Sequence, residues 1–224
     1  MSEFLLTIPE RLHSTIHTFC TDMWEGYRGA IADFMAAYRD IKARIVIDRF
    51  HVAKNYRDNF DTLRKQEMRR LRQELPEATY KEVGQGMHWV LRHNYDNLHD
   101  DDKVRLRRLF QYSPLLHQAY TLREELTAIF NTELSLADGR RRLEKWAVKV
   151  ERSTLTCFDN FLKTLRNHLQ AIANYFDRRA NSGFVEGVNN KLKTITRPSY
   201  GLKRVDSLFR RLWLDINGYQ HFFA

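Results

Sequence analysis

Two short apolar runs open the chain, and each leads to an aspartate. T-I-H-T-F-C at residues 15–20 runs into Asp22, and the β-branched A-R-I-V-I-D at 43–48 ends on Asp48. Both read as strands. Between them, E-G-Y-R-G-A-I-A-D-F-M-A-A-Y-R sets Ile31, Phe34, Met35 and Tyr38 on one side of a helix. Strand, helix, strand predicts a βαβ unit with parallel strands and a right-handed crossover.

Beyond Asp48 the period changes. Residues 54–75 carry Tyr56, Phe60, Leu63, Met68, Leu71 and Leu75 near helical spacing, and Pro76 follows the stop. Further helical runs are predicted at 78–94, 101–111, 114–130, 136–151 and 156–179. The last bears an apolar stripe of Phe158, Phe161, Leu162, Leu165, Leu169, Ile172 and Phe176. Trp89, Trp146, Phe158 and Phe161 read as core packing rather than as stacking platforms for bases. The middle of the chain is a helical block without repeats or low-complexity tracts.

After N-S-G at 181–183, Asn181 or Ser182 is placed to cap an amphipathic helix. Glu186, Asn189, Asn190 and Lys193, spaced i, i+3, i+4 and i+7, share its polar face. Val185, Val188, Leu192 and Ile195 form the apolar face. Arg197, Pro198 and the Tyr200–Gly201 pair then turn the chain.

Composition changes this picture at a few points. At 224 residues and 43% hydrophobic content, the chain can bury a core, which excludes intrinsic disorder. The net charge of +9 favours a polyanionic partner. That charge is uneven: between Arg178 and Arg211 nine Lys and Arg residues face two acids, Glu186 and Asp206. Two cysteines, Cys20 and Cys157, are too few for a disulfide framework or a thiolate zinc site, and are expected to be reduced and buried. No apolar run approaches the ~20 residues that span a bilayer. The N-terminus lacks the pattern of a signal peptide, so a soluble, intracellular protein is expected.

The acids then suggest chemistry. Asp22 falls at the carboxyl end of a strand, where open α/β sheets place functional groups. Phosphoryl transfer on DNA commonly uses two divalent metals held by carboxylates, and Mg²⁺ prefers such oxygen ligands. A lone acid in a basic surface suits that use, because the surrounding Lys and Arg would hold the phosphate backbone. The residues alone leave plainer roles open. Asp22 could cap the following helix, and Glu186 could make an ordinary i, i+4 ion pair.

Four segments occur in fixed order: T-D-M-W-E-G-Y-R-G-A at 21–30, V-I-D-R-F-H-V-A-K at 46–54, Y-S-P-L-L-H-Q-A-Y at 112–120 and S-G-F-V-E-G-V-N-N-K-L-K at 182–193. With L-T-C-F-D-N-F-L-K-T-L at 155–165, they resemble the DDE transposases of bacterial insertion sequences, in the ISL-three family. The resemblance implies a mainly α protein with a small β component, a partial ribonuclease H-like α/β fold interrupted by a large all-helical insertion. Its parts would be a strand–helix–strand core at 1–55, a helical insertion at 56–178, and a catalytic helix with a basic tail at 179–224.

By the same resemblance, Asp22 and Glu186 are the catalytic, metal-binding acids of a two-metal Mg²⁺ site. Asp48 and His51 match a supporting D-x-x-H signature, with Asp48 in reserve as the second acid. Lys191, Lys193, Arg197, Lys203 and Arg204 would bind nucleic acid. The implied activity is metal-dependent strand cleavage and strand transfer, acting on transposon ends and target DNA in a homo-oligomeric complex. A bacterial cytoplasmic, nucleoid-associated location and no membrane contact are expected. No acid before Asp22 lies in a strand-like run, so the chain is expected to lack the first catalytic aspartate and the end-recognition domain and to be inactive alone. A non-catalytic DNA-binding or regulatory remnant is the alternative.

Overall fold

The computed structural model describes residues 2–197 and 204–222. They form two compact units, 1–180 and 181–224. Helix dominates, and the β component is a single pair of strands.

The first unit begins with α1 (Ser2–Leu5) and a 3-10 turn at Glu10–Thr15, then β1 (Thr18–Thr21), α2 (Glu25–Ala37) and β2 (Arg44–Ile47). The strands pair in parallel, Thr18 opposite Arg44 through Thr21 opposite Ile47. The βαβ unit is therefore present, but β1 starts later than the sequence pattern suggests. The 3-10 turn takes residues through Thr15, and Ile16 then packs beside a small core of Leu5, Ile31, Phe34, Ile41 and Ala43.

α3 (Arg49–Glu74) follows β2 at once, five residues before the predicted start. The cause is Asp48: its Oδ1 accepts the Phe50 N–H at 2.9 Å, satisfying a helix-end donor. Val46, Ile47, Val52, Tyr56 and Phe60 then lead into the main core. The run predicted at 78–94 breaks into α4 (Glu77–Gly84) and α5 (Met87–Val90), because Gly86 takes φ +74°, which is cheap for a residue without Cβ.

α6 (Asp100–Tyr112), α7 (Pro114–Asn131) and α8 (Leu136–Glu151) match the predicted helices closely. The corner between α6 and α7 explains Y-S-P-L-L-H-Q-A-Y as a structural joint. Ser113, fully buried, accepts the Leu116 N–H and donates to Glu67 Oε2 at 2.6 Å. Arg70 donates to Glu67 Oε2 at 2.8 Å and to the Tyr112 carbonyl at 3.0 Å. Arg70 first, then Ser113, holds the Glu67 carboxyl below its usual range despite burial. A buried carboxylate is tolerable here because charged and neutral donors both satisfy it.

The predicted 156–179 helix is instead a 3-10 turn at Thr156–Phe158 followed by α9 (Asp159–Asn167), α10 (Leu169–Ala173) and α11 (Tyr175–Arg178). Its breaks let side chains reach the sheet. Asn174 Nδ2 donates to the Ile45 carbonyl at 2.9 Å, and Arg44 pairs with Asp177 at 3.0 Å. In a two-stranded sheet these contacts occupy part of β2. Phe176 packs so closely on α8 that a Cβ on Gly139 would stand 2.2 Å from its ring.

The second unit pairs α12 (Gly183–Thr196) with α13 (Val205–Phe222). Ile195 and Leu212 are buried, whereas Val185 on the predicted apolar face is 57% exposed. Among the described residues no helix is long and apolar enough to cross a membrane.

Candidate active site

Asp22 and Asp48 each follow the last paired residue of neighbouring parallel strands, Thr21 and Ile47. Parallel strands lie about 4.8 Å apart, so the register itself brings these two acids side by side in the chain's path. The ladder also continues one bond further, from Asp48 N–H to the Thr21 carbonyl at 3.2 Å. Asp22 is half-buried, and its Oδ1 accepts the Trp24 N–H at 2.9 Å. This is a short turn that starts α2 rather than a helix cap, since Trp24 occupies the cap position without a side-chain bond. The capping role belongs to Asp48, which is only 3% exposed.

His51 lies in the first turn of α3, its N–H donating to the Asp48 carbonyl at 3.0 Å and its ring edge-on to Phe50. Cys20, on β1, has its thiol pushed up to about 11, by burial and then by the Asp48 charge. It is a neutral thiol, as is Cys157, raised to about 11 chiefly by burial. Both are free and half-buried rather than fully buried.

Arg28 of T-D-M-W-E-G-Y-R-G-A anchors the βαβ unit to the helical block. Its Nη1 contacts Nδ1 of buried His168, at the break between α9 and α10, and pairs with Glu25 at 2.9 Å. Burial first, then the Arg28 charge, lowers the His168 pKa, so the ring is a neutral acceptor. Sequence periodicity did not single out either residue. The signal available was a histidine at a helix break within an apolar stripe.

In the second unit Glu186 is exposed in the first turn of α12, its N–H bonded to the Ser182 carbonyl at 2.9 Å. Ser182 takes the cap position, while Asn181 Oδ1 accepts the Gly183 N–H at 2.9 Å. Asn189, Asn190 and Lys193 are exposed with Glu186, as are Arg197 and Arg204. Lys191 is already engaged: its Nζ stands 2.6 Å from Asp215 on α13, which holds that carboxyl below its usual range. Lys203 lies outside the described residues, as do Pro198, Tyr200 and Gly201.

Among the described residues, no group of three or more His, Cys, Asp or Glu side chains could hold a metal ion. Asp22 and Asp48 offer hard oxygen donors at the strand ends, and Glu186 offers another in the second unit. In kind these donors suit Mg²⁺; in number, within either unit, they fall short.

A family model described as a transposase, the ISL3 (ISL-three) type of DDE transposases, matches residues 1–212. The chain belongs to this family. ISL3 membership accords with curated relatives. The chain is 31% identical to the transposase of insertion sequence element IS1001 from Bordetella parapertussis, over 76% of this chain and 41% of that protein. It is 24% identical to the transposase of IS1557 from Mycobacterium tuberculosis, over 60% of this chain and 30% of that protein. The match thus spans less than half the length of these relatives. No solved structure matches the ISL3 chain significantly.

Proposed function

We propose that this chain carries part of the catalytic domain of a DDE transposase, with DNA as its substrate. The observation that carries the reading is the parallel βαβ unit, with an aspartate at the carboxyl end of each strand, in a chain of the ISL3 family. Open α/β sheets place functional groups at such ends. In this reading the strand pair belongs to a ribonuclease H-like core, residues 56–178 are its helical insertion, and α12 carries the last acid.

Asp22 and Glu186 are the acids assigned to Mg²⁺, which would supply Lewis-acid activation for strand cleavage and transfer. Asp48 and His51 are positioning residues, because Asp48 ties β2 to the start of α3 and His51 sits directly above that cap. Lys193, Arg197, Lys203 and Arg204 would take phosphates, with Lys191 held in reserve by Asp215. Multimeric assembly on the transposon ends belongs to the same proposal. A second reading, a DNA-binding module without catalysis, is favoured by the absence of a three-donor group among the described residues.

Both readings require DNA binding dominated by phosphate contacts. Titration of the chain onto duplex DNA at several salt concentrations should give a log–log line of negative slope. Lys193→Ala or Arg197→Ala should each flatten it by about 0.9, one released counterion. Lys191→Ala should change it less, since its charge is shared with Asp215. Binding indifferent to salt would leave the basic face without this role.

A further inference from the structure

Trp89 read as core in the sequence, but the structure corrects this: it is 59% exposed. Its neighbours account for the outward turn. Met87, Val90 and Leu91 are buried in the main core, so the single turn of α5 leaves Trp89 on its outer side. The breaker signal was in the sequence, in G-Q-G-M-H-W-V-L-R-H at 84–93.

The display is held rigidly from behind. Buried Arg123 donates from Nη1 to the Leu91 carbonyl at 2.7 Å and from Nη2 to the His93 carbonyl at 2.5 Å. Tyr120 Oη donates to the same His93 carbonyl at 2.9 Å, and the Arg123 guanidinium lies 4.5 Å from the Tyr120 ring centroid. Arg123 also pairs with Glu124, so the guanidinium that fixes this loop is itself neutralised.

Around the ring sit groups of one character. The exposed His88 ring lies 4.8 Å from Trp89, tilted at 46°, and the exposed Arg92 guanidinium stands 5.9 Å over it. Among the described residues neither His88 nor Arg92 makes an ion pair. On α6, Asp100 and Asp102 are answered by Lys103 at 3.3 Å and Arg105 at 3.5 Å.

We propose that Trp89, with His88 and Arg92, is a stacking platform for an unpaired base of DNA, Arg92 taking the adjoining phosphate. An indole face accepts any base, and a guanidinium beside it can both stack and bind phosphate. This inference rests on the DNA reading above and deepens it: the helical segment grips unpaired nucleotides, while the basic helices hold duplex.

The test uses the full 224-residue chain. Anisotropy of a short fluorescein-labelled oligo-thymidine is compared with that of a duplex of equal length. Trp89→Ala should weaken single-strand binding roughly tenfold or more and leave duplex binding unchanged. Trp89→Phe should restore most of the loss, and Arg92→Ala should flatten the single-strand salt slope by about 0.7. If Trp89→Ala binds the single strand like wild type while Lys193→Ala weakens both forms, the platform is refuted and the DNA reading stands. If the wild-type chain binds neither form, both fall together.

Discussion

Glu186→Gln is expected to abolish Mg²⁺-dependent strand cleavage, by roughly a thousandfold or more, while leaving DNA affinity within a small factor of wild type. The amide keeps the size and shape of the side chain but removes its charge, and a neutral amide is a poor ligand for a hard cation. The fold should not notice. Among the described residues no hydrogen bond or ion pair engages the Glu186 side chain, and it is exposed on the first turn of α12. Loss of its favourable place near the helix N-terminus costs at most about 1 kcal/mol.

Asp22→Asn should behave alike, because Asn Oδ1 can still accept the Trp24 N–H that Asp22 now holds at 2.9 Å. Cleavage of terminal-repeat DNA should be assayed in a full-length ISL3 transposase that carries this segment, with and without each substitution. Parallel binding measurements separate chemistry from affinity. A Glu186→Gln protein that cleaves at the wild-type rate would remove this carboxylate from the reaction.

The second large effect is on stability. Tyr56→Ala should cost about 3–5 kcal/mol, a large share of the 5–15 kcal/mol that typically separates folded from unfolded protein. Tyr56 is almost fully buried and stacks on Phe158, with ring centroids 4.4 Å apart at 10°. Its ring also meets the Phe161 and Trp146 rings edge-on, at 5.3 and 5.7 Å, and its hydroxyl donates to the Ala119 carbonyl at 2.8 Å. One side chain thus ties α3 to α7, α8 and α9. Tyr56→Phe keeps the stack and loses only the hydrogen bond, about 1 kcal/mol.

A pH dependence follows from the same burial. Desolvation raises the Tyr56 pKa well above 10.0, so the folded state keeps a proton that the unfolded state releases. Stability is therefore fully present below pH 10 and falls as pH rises beyond it. The fall should be shallower in Tyr56→Phe but not absent, since Tyr120 is also raised, to about 12, by burial. Urea denaturation followed by circular dichroism measures all three. An unchanged midpoint for Tyr56→Ala would show that the aromatic cluster is not the core's centre.

What the sequence made legible was what local pattern controls. The strand pair, its parallel sense and most of the long helices followed from period and breakers. The acids at the strand ends followed from A-R-I-V-I-D and T-D-M-W. Less legible was anything set by partners distant in the chain. Asp22 and Asp48 look alike in sequence, yet Asp48 caps α3 and is buried while Asp22 makes an Asx-type turn and stays half-exposed. His168 at the helix break is met by Arg28, 140 residues away, and apolar spacing through 156–179 conceals it. Trp89 was misread for a similar reason: hydrophobicity marks a residue for burial, but Met87, Val90 and Leu91 claim the inward positions first.

The proposed function assigns divalent-metal binding to Asp22 in the first unit and to Glu186 in the second. Iron-mediated cleavage of the backbone tests this without requiring activity. Fe²⁺ is loaded in place of Mg²⁺, ascorbate and peroxide are added, and the cut positions are mapped by mass spectrometry. The proposal predicts two clusters of cuts, beside residue 22 and beside residue 186, both suppressed by excess Mg²⁺, the first weakened in Asp22→Asn and the second in Glu186→Gln. The absence of either cluster, or a cluster untouched by its own substitution, would contradict it.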